Sequence, residues 1–228
     1  MLKALFQKLL AKAGKTYTID ASIPSKLLFM NLWSRFFMLF RGLLRLQQKV
    51  FLGKSTTILN AKNISFGTNT TIGSYTKIDG YAAEKLKFGV NSKIGSYGFV
   101  SCTSHFSKYG KGFTMGSNSA MGDYCQVGAA GGVTIGNDVI MGSYISFHSE
   151  NHNFNMPDVL IREQGTTSKG IELGNNIWVG AKVTFLDGSQ IADNTVVAAG
   201  AVVNGVFPPN VIIGGVPAKI LKSITNNE

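Results

Sequence analysis

An apolar residue returns every six positions through most of this chain, and that period decides the fold class. The longest unbroken run is Leu173, Val179, Phe185, Ile191, Val197 and Val203. The same spacing links Phe66, Ile72 and Ile78; Phe88, Ile94 and Val100; Met115, Met121 and Val127; and Ile135, Met141 and Phe147. Two positions earlier stands a small or β-branched residue: Thr70, Thr76, Ser92, Ser119, Cys125, Val139, Ile145, Ile177, Val183, Ser189, Thr195 or Ala201. In a strand, residues two apart point to one face, so each pair faces inward while its neighbours face out. Six residues supply one short strand and one turn, and a glycine after the apolar residue relieves the corner. Three such units close a triangular coil, and stacked coils bury a continuous apolar prism. The expected fold is mainly β, a parallel β-solenoid with open edges only at its two ends.

The first 50 residues have a different texture. Leu5, Leu9 and Leu10 recur at helical spacing, and 25–50 reads as a second, strongly apolar helix. Arg35 and Arg41 interrupt it, and charges near the middle of a spanning helix are costly, so a transmembrane span is rejected. Two readings remain for this segment. It is a helix packed on the body of the protein or on a neighbouring subunit, arginines outward, or an amphipathic helix on an anionic membrane surface with Trp33 and the phenylalanines inserted. Nine basic side chains against one acid, Asp20, put most of the net charge of +10 into residues 1–50. The remainder is near neutral, which argues against a nucleic-acid-binding surface. Apolar content of 44% allows a substantial core, and Cys102 and Cys125 show no CxxC spacing, so both are expected to be reduced. No secretory signal is visible, and a cytoplasmic location, peripheral at most on the inner face of the cell membrane, is expected.

The period fails in three places, giving expected loops at 79–87, 101–114 and 148–172. Loops of such length inside a compact repeat are usually functional or disordered. The third begins with HSENHNFNMPD, which holds two of the chain's three histidines, His148 and His152. His105 lies in the second loop and reads as an ordinary loop residue.

From about residue 60 to 222 the sequence resembles the hexapeptide-repeat, left-handed β-helix acyltransferases. The most specific stretch, NNIWVGAKVTFLDGSQIADNTVVAAGAVVNGVFPPNVIIGGVPAKIL, resembles the C-terminal coils and exit segment of the O-acetyltransferases in this family. The resemblance implies a left-handed β-helix over 51–206, preceded by the basic helical segment 1–50 and followed by an exit segment, 207–228, with a short C-terminal helix. It implies acetyl-CoA as donor, bound between adjacent subunits of a homotrimer, and no metal. The spacing from Ile135-Gly136 to Asn151-His152 matches the family's route to its general base, so His152 is the catalytic candidate. An imidazole, with an ordinary pKa of ~6.5, suits deprotonation of a sugar hydroxyl near neutral pH. Positions in register with the donor site are Trp178, Gly180, Ala181, Ala199, Gly200 and Ala201, with Lys219 and Lys222 placed either to meet phosphates or as solvated charges. Asp123 and Asn151 fall on the acceptor side. His148 is an acceptor contact or an exposed corner residue. Glu150 orients His152 or is merely solvated.

The implied activity is acetyl transfer to a sugar hydroxyl of a surface polysaccharide or its precursor. Another acceptor, an amino sugar or a xenobiotic, is the nearest alternative. A zinc hydratase of the γ-carbonic anhydrase kind fits poorly, because that family separates its two later ligands by five residues and His148 and His152 are four apart. A non-catalytic assembly solenoid is a further alternative, against which the intact Asn-His loop and the GGVPAKI exit argue.

Overall fold

The computed structural model describes residues 2–12 and 17–225. Met1, residues 13–16 and residues 226–228, which the expected N-terminal and exit segments include, lie outside the described residues. From Phe51 the chain winds as a left-handed parallel β-helix with three faces. The first face opens with strand Phe51–Leu52, the second with Thr57–Leu59 and the third with Ile64–Phe66. Each strand pairs in parallel with the strand one coil above, as Ile140↔Trp178, Phe147↔Phe185 and Ile135↔Leu173 show on the three faces.

The six-residue period is the packing code of this prism. Every marked apolar position is buried except Phe66, which packs half-buried against the core. Every position two residues earlier is buried too. Where that earlier residue is polar, its hydroxyl is satisfied at the corner: Thr70 donates to the Gly67 carbonyl at 2.7 Å, Thr76 to Gly95 at 2.8 Å and Ser119 to Gly136 at 2.7 Å. Phe147 and Phe185 stack at 4.8 Å in the interior. Cys102 and Cys125 are free and buried; burial pushes the Cys102 thiol up to about 12, with Asp79 adding to the shift, and raises Cys125 as well. Neither thiol is placed as a nucleophile.

Corner residues repeat as strictly as core residues. Between the third and first faces, Asn69, Asn91, Asn118 and Asp138 form a side-chain ladder at 3.1–3.2 Å. Between the first and second faces, Tyr75, Tyr97, Tyr124 and Tyr144 stack with centroids 4.8–5.1 Å apart. All four tyrosines adopt positive φ, 57–61°. That conformation is unfavourable for an aromatic residue, and the repeated stack offsets its cost.

Each end of the solenoid departs from expectation. Helix α1 (Leu2–Lys12) touches α2 (Ser25–Leu46), and α2 crosses the first coil. The guanidinium groups of its arginines turn to the first coil, although Arg45 as a whole is exposed. Arg41 Nε donates to the Leu52 carbonyl at 2.8 Å, Arg45 reaches the Thr56 carbonyl at 3.1 Å, and the Arg35 guanidinium lies 3.6 Å over the Phe51 ring. The exposed first coil has carbonyls with no coil beneath them, and the arginines supply their donors. Gly42 is required in this contact, since a Cβ there would collide with the Val50 carbonyl. At the other end the expected short helix is a strand. Lys219–Ser223 turns back antiparallel on Val211–Gly214 and covers the last edge of the first face. An open strand edge is a stronger demand than the weak helical preference of this short segment. The repeat also continues past residue 206, because Val211–Gly214 still pairs in parallel with Val196–Val197.

Candidate active site

All three interruptions of the repeat leave the solenoid at one corner, between the second and third faces. They occupy 80–85, 102–112 and 149–170, bounded by strands ending at Asp79, Ser101 and His148 and resuming at Leu86, Phe113 and Ile171. The third is an arm with its own antiparallel pair, Asn151↔Thr167 and His152↔Thr166.

The arm has well-defined roots. Buried Ser149 donates through Oγ to the Gly128 carbonyl at 2.8 Å and accepts from the Gly131 amide at 3.0 Å. On the returning leg, Asp187 Oδ1 accepts from the amides of Lys169 and Gly170 at 2.7 and 2.8 Å. Both legs pass over Gly131, where a Cβ would meet the Ser149 carbonyl at 2.2 Å and the Ser168 side chain at 2.8 Å. Further out, Gln164 braces the tip by bonding the Met156 amide and the Met156 and Val159 carbonyls. His152 is exposed on this braced arm.

Glu150 neither orients His152 nor stands free in solvent. Its Oε1 accepts from Ser104 Oγ at 3.0 Å, across the gap to the second loop, and its Oε2 accepts from Thr166 Oγ1 at 3.2 Å. Lys108 Nζ is 4.0 Å away and also donates to Ser168 at 2.6 Å. The carboxylate therefore ties the 102–112 loop to the arm. His105 belongs to that loop and pairs with Ser107. His148 is an exposed outward residue of the second face, between Gly128 and Leu186 in the neighbouring coils.

The donor candidates lie elsewhere. Trp178 projects from the first face beside Ile140, and both are about 60% exposed. Gly180, Ala181, Ala199 and Gly200 form the corner between the first and second faces. Lower on that corner, side chains occupy some of the amides, Ser74 Oγ accepting from Lys54 N and Asp123 Oδ1 from Ser96 N, while the amides of Ser74 and Asp123 have no acceptor among the described residues. Higher up, alanines replace those acceptors. Among the described residues, the amides of Ser143, Ala181 and Ala199 have no hydrogen-bond acceptor, leaving a row of donors on an exposed corner. Ser143 carries no repeat signature that marks it in the sequence.

One residue singled out by the sequence does not fit its expected role. Ala201 is fully buried, its amide bonded to Ala198 and its carbonyl to Thr184, so it has nothing to offer a ligand. Its register is that of the inward row, and smallness there serves the core. Asp123 accepts from the Ser96 amide through Oδ1 and stands on the corner of the amide row, two coils below Ala181, rather than on the corner of the arm. Lys219 and Lys222 are exposed on the final strand rather than on a helix. Among the described residues no three His, Cys, Asp or Glu side chains gather as a metal ligand set.

The chain order of the faces fixes the relation between the two groups. His152 leaves the corner between the second and third faces, and Trp178 projects from the first face, which is the side of the triangle opposite that corner. Trp178 and His152 are thus on opposite sides of one prism, while the amide row and the arm stand at the two ends of the second face.

Proteins similar in sequence are named as acetyltransferases. The Escherichia coli K12 protein WbbJ, named as a lipopolysaccharide biosynthesis O-acetyl transferase, is 33% identical over 122 residues, covering 50% of this chain and 62% of WbbJ. The galactoside O-acetyltransferase of the same organism is 33% identical over 97 residues, 42% of this chain and 46% of that protein. The chain thus spans less than two thirds of either relative. No family model matches the chain. Among solved structures, a mutant of AntD, an N-acyltransferase from Bacillus cereus in complex with dTDP and coenzyme A, superposes with a TM-score of 0.54 at 18% identity, covering 76% of this chain and 86% of that one. The solenoid shares the fold of that structure.

Proposed function

We propose that the chain transfers an acetyl group from acetyl-CoA to a hydroxyl of a glycan, with His152 as general base. The observation that carries this reading is the rooted, braced arm that holds an exposed histidine at the corner where every insertion converges. The curated relatives support the same class, since both are named as O-acetyltransferases, one of galactosides and one in lipopolysaccharide biosynthesis.

The chemistry follows from the groups present. The neutral imidazole takes the proton of the acceptor hydroxyl as its oxygen attacks the thioester carbonyl. Backbone amides are the usual donors to the oxyanion that develops. Collapse of the tetrahedral adduct expels the thiolate of coenzyme A, which recovers the proton from the imidazolium. The amides of Ser143, Ala181 and Ala199 suit the amide carbonyls of a pantetheine arm, with Trp178 as an apolar wall. Because the amide row stands at the far end of the second face from the arm, and Trp178 on the face opposite the arm's corner, a complete site needs a second copy of the chain, in line with a homotrimer. The arm tip supports such a contact, since Phe154, Met156, Leu160 and Ile161 are all at least half exposed. A surface polysaccharide or its precursor is the acceptor class we favour, and the enzyme would work in the cytoplasm.

Thiol release from acetyl-CoA across a panel of glycan acceptors tests the proposal. His152→Ala is expected to lower transfer by about 100-fold or more. Transfer by His152→Ala at the parent rate on a true acceptor would remove His152 from the mechanism.

A further inference from the structure

Helix α2 is apolar on two sides. Its inward stripe, Leu28, Leu32, Arg35, Leu39, Gly42 and Leu46, follows helical spacing and packs toward the first coil. The opposite stripe, Met30, Trp33, Phe37, Phe40 and Leu44, is exposed, and neighbouring Phe36 is 60% exposed. These rings form a contiguous cluster, with Trp33 4.9 Å from Phe37 and 6.1 Å from Phe29. An exposed aromatic patch of this extent marks a binding surface.

Charge decides what covers it. The segment 1–50 has nine basic side chains and one acid, and Lys8, Lys26 and Lys49 are exposed around the helix. Docking the face on a second copy would bring two such segments together, whereas an anionic bilayer covers the rings and supplies countercharge, worth about 1 kcal/mol per basic residue near the surface. By length and composition α2 is long and apolar enough to cross a membrane. Its arginines, however, are spent on the Leu52 and Thr56 carbonyls and the Phe51 ring, which holds it flat across the solenoid's end.

We propose that the outward aromatic face of α2 docks the base of the solenoid onto an anionic lipid surface, α2 lying in the interface rather than through it. The second-face strand from which the arm departs is four ladder steps above Thr57–Leu59, about 20 Å at ~4.8 Å per step, and the helix adds ~10 Å. If the acyl-transfer reading holds, on which this consequence rests, His152 then stands roughly 30 Å above the lipid. That height suits a glycan carried outward on a lipid anchor and excludes the headgroup itself.

The test uses the full chain without donor or acceptor, so its result is independent of acyl transfer. Co-sedimentation is measured with phosphatidylcholine vesicles, with and without phosphatidylglycerol. Binding is expected only to the anionic vesicles, with brominated lipid chains quenching tryptophan fluorescence in the parent and not in Trp33→Phe. Phe37→Glu with Phe40→Glu is expected to cut binding by at least tenfold, at an unchanged thermal melt. Absence of binding, or binding indifferent to the two glutamates, overturns the proposal. So does a double variant that alters only oligomer size by sedimentation velocity, which assigns the face to a second copy, or resistance to carbonate extraction, which assigns a spanning helix.

Discussion

Replacing Glu150 with alanine isolates the contact that holds the arm. The carboxylate accepts two well-formed hydrogen bonds, from Ser104 at 3.0 Å and Thr166 at 3.2 Å, while Ser168 at 3.5 Å and Lys108 at 4.0 Å add little. A hydrogen bond to a charged acceptor contributes about 1.5–3 kcal/mol. The Glu150 side chain is 19% exposed, and the released hydroxyls can take water, so the lower end applies and the two bonds overlap in effect. The expected loss is about 2 kcal/mol, confined to opening of the arm rather than to global stability. At 1.4 kcal/mol per tenfold, amide exchange should quicken about 30-fold. The reporters are the Asn153 amide, which bonds the Gly165 carbonyl at 3.0 Å, and the amides of the Asn151–His152 and Thr166–Thr167 pair. Hydrogen exchange resolved to these residues measures the effect, with core amides such as that of Ser146 as the control. Glu150→Gln keeps an acceptor and should lose about half as much, and a cycle with Ser104→Ala should show coupling of about 1 kcal/mol. Unchanged exchange at Asn153 in the alanine variant would refute the tie, and so would equal effects of Gln and Ala.

Four further outcomes follow from the same structure. Gly131→Ala should displace both legs of the arm and lower acetyl transfer, read as a loss of activity larger than any change in melting temperature. Phe147→Ala removes half of the internal Phe147–Phe185 stack and should cost about 3–5 kcal/mol in denaturant unfolding. Tyr97→Ala breaks two stacks at once and should cost about 1–2 kcal/mol. The Cys102 thiol is held above its unfolded value of 9.0, so the stability it contributes is complete below pH 9 and is lost as pH rises toward about 12; Cys102→Ala should flatten that alkaline loss in melts recorded against pH.

What the sequence revealed and what it concealed divide along physical lines. The inward rows were legible because a solenoid is held by nearest-neighbour contacts, so each coil repeats the demand of the last. Val139, Ile145, Ile177 and Val183 announce their burial by spacing alone. The three interruptions were legible for the same reason, as absences of the period. Their convergence on one corner was not, since it follows from counting strands through each coil. Glu150 looked like an unremarkable acid because its partner Ser104 is 46 residues away. The same six-residue period misled at Ala201, where a small residue beside a candidate donor site belongs to the core.

The ends of the solenoid explain the remaining discrepancy and bear on function. Arginines in an apolar helix read naturally as an outward face when helices alone are considered. A solenoid adds a competing demand, because its first coil presents carbonyls that no preceding coil satisfies. Arg41 and Arg45 meet that demand, and burial pushes the Arg35 guanidinium down while it remains stacked on Phe51. Turning the charges inward leaves Trp33 and the phenylalanines outward. The cap that terminates the repeat at its base therefore creates the apolar surface, while the last strand terminates the other end by backbone pairing alone. Among the described residues, only the end with the helical cap has both exposed rings and a concentration of positive charge, which is why a lipid surface is assigned to that end and not to the other.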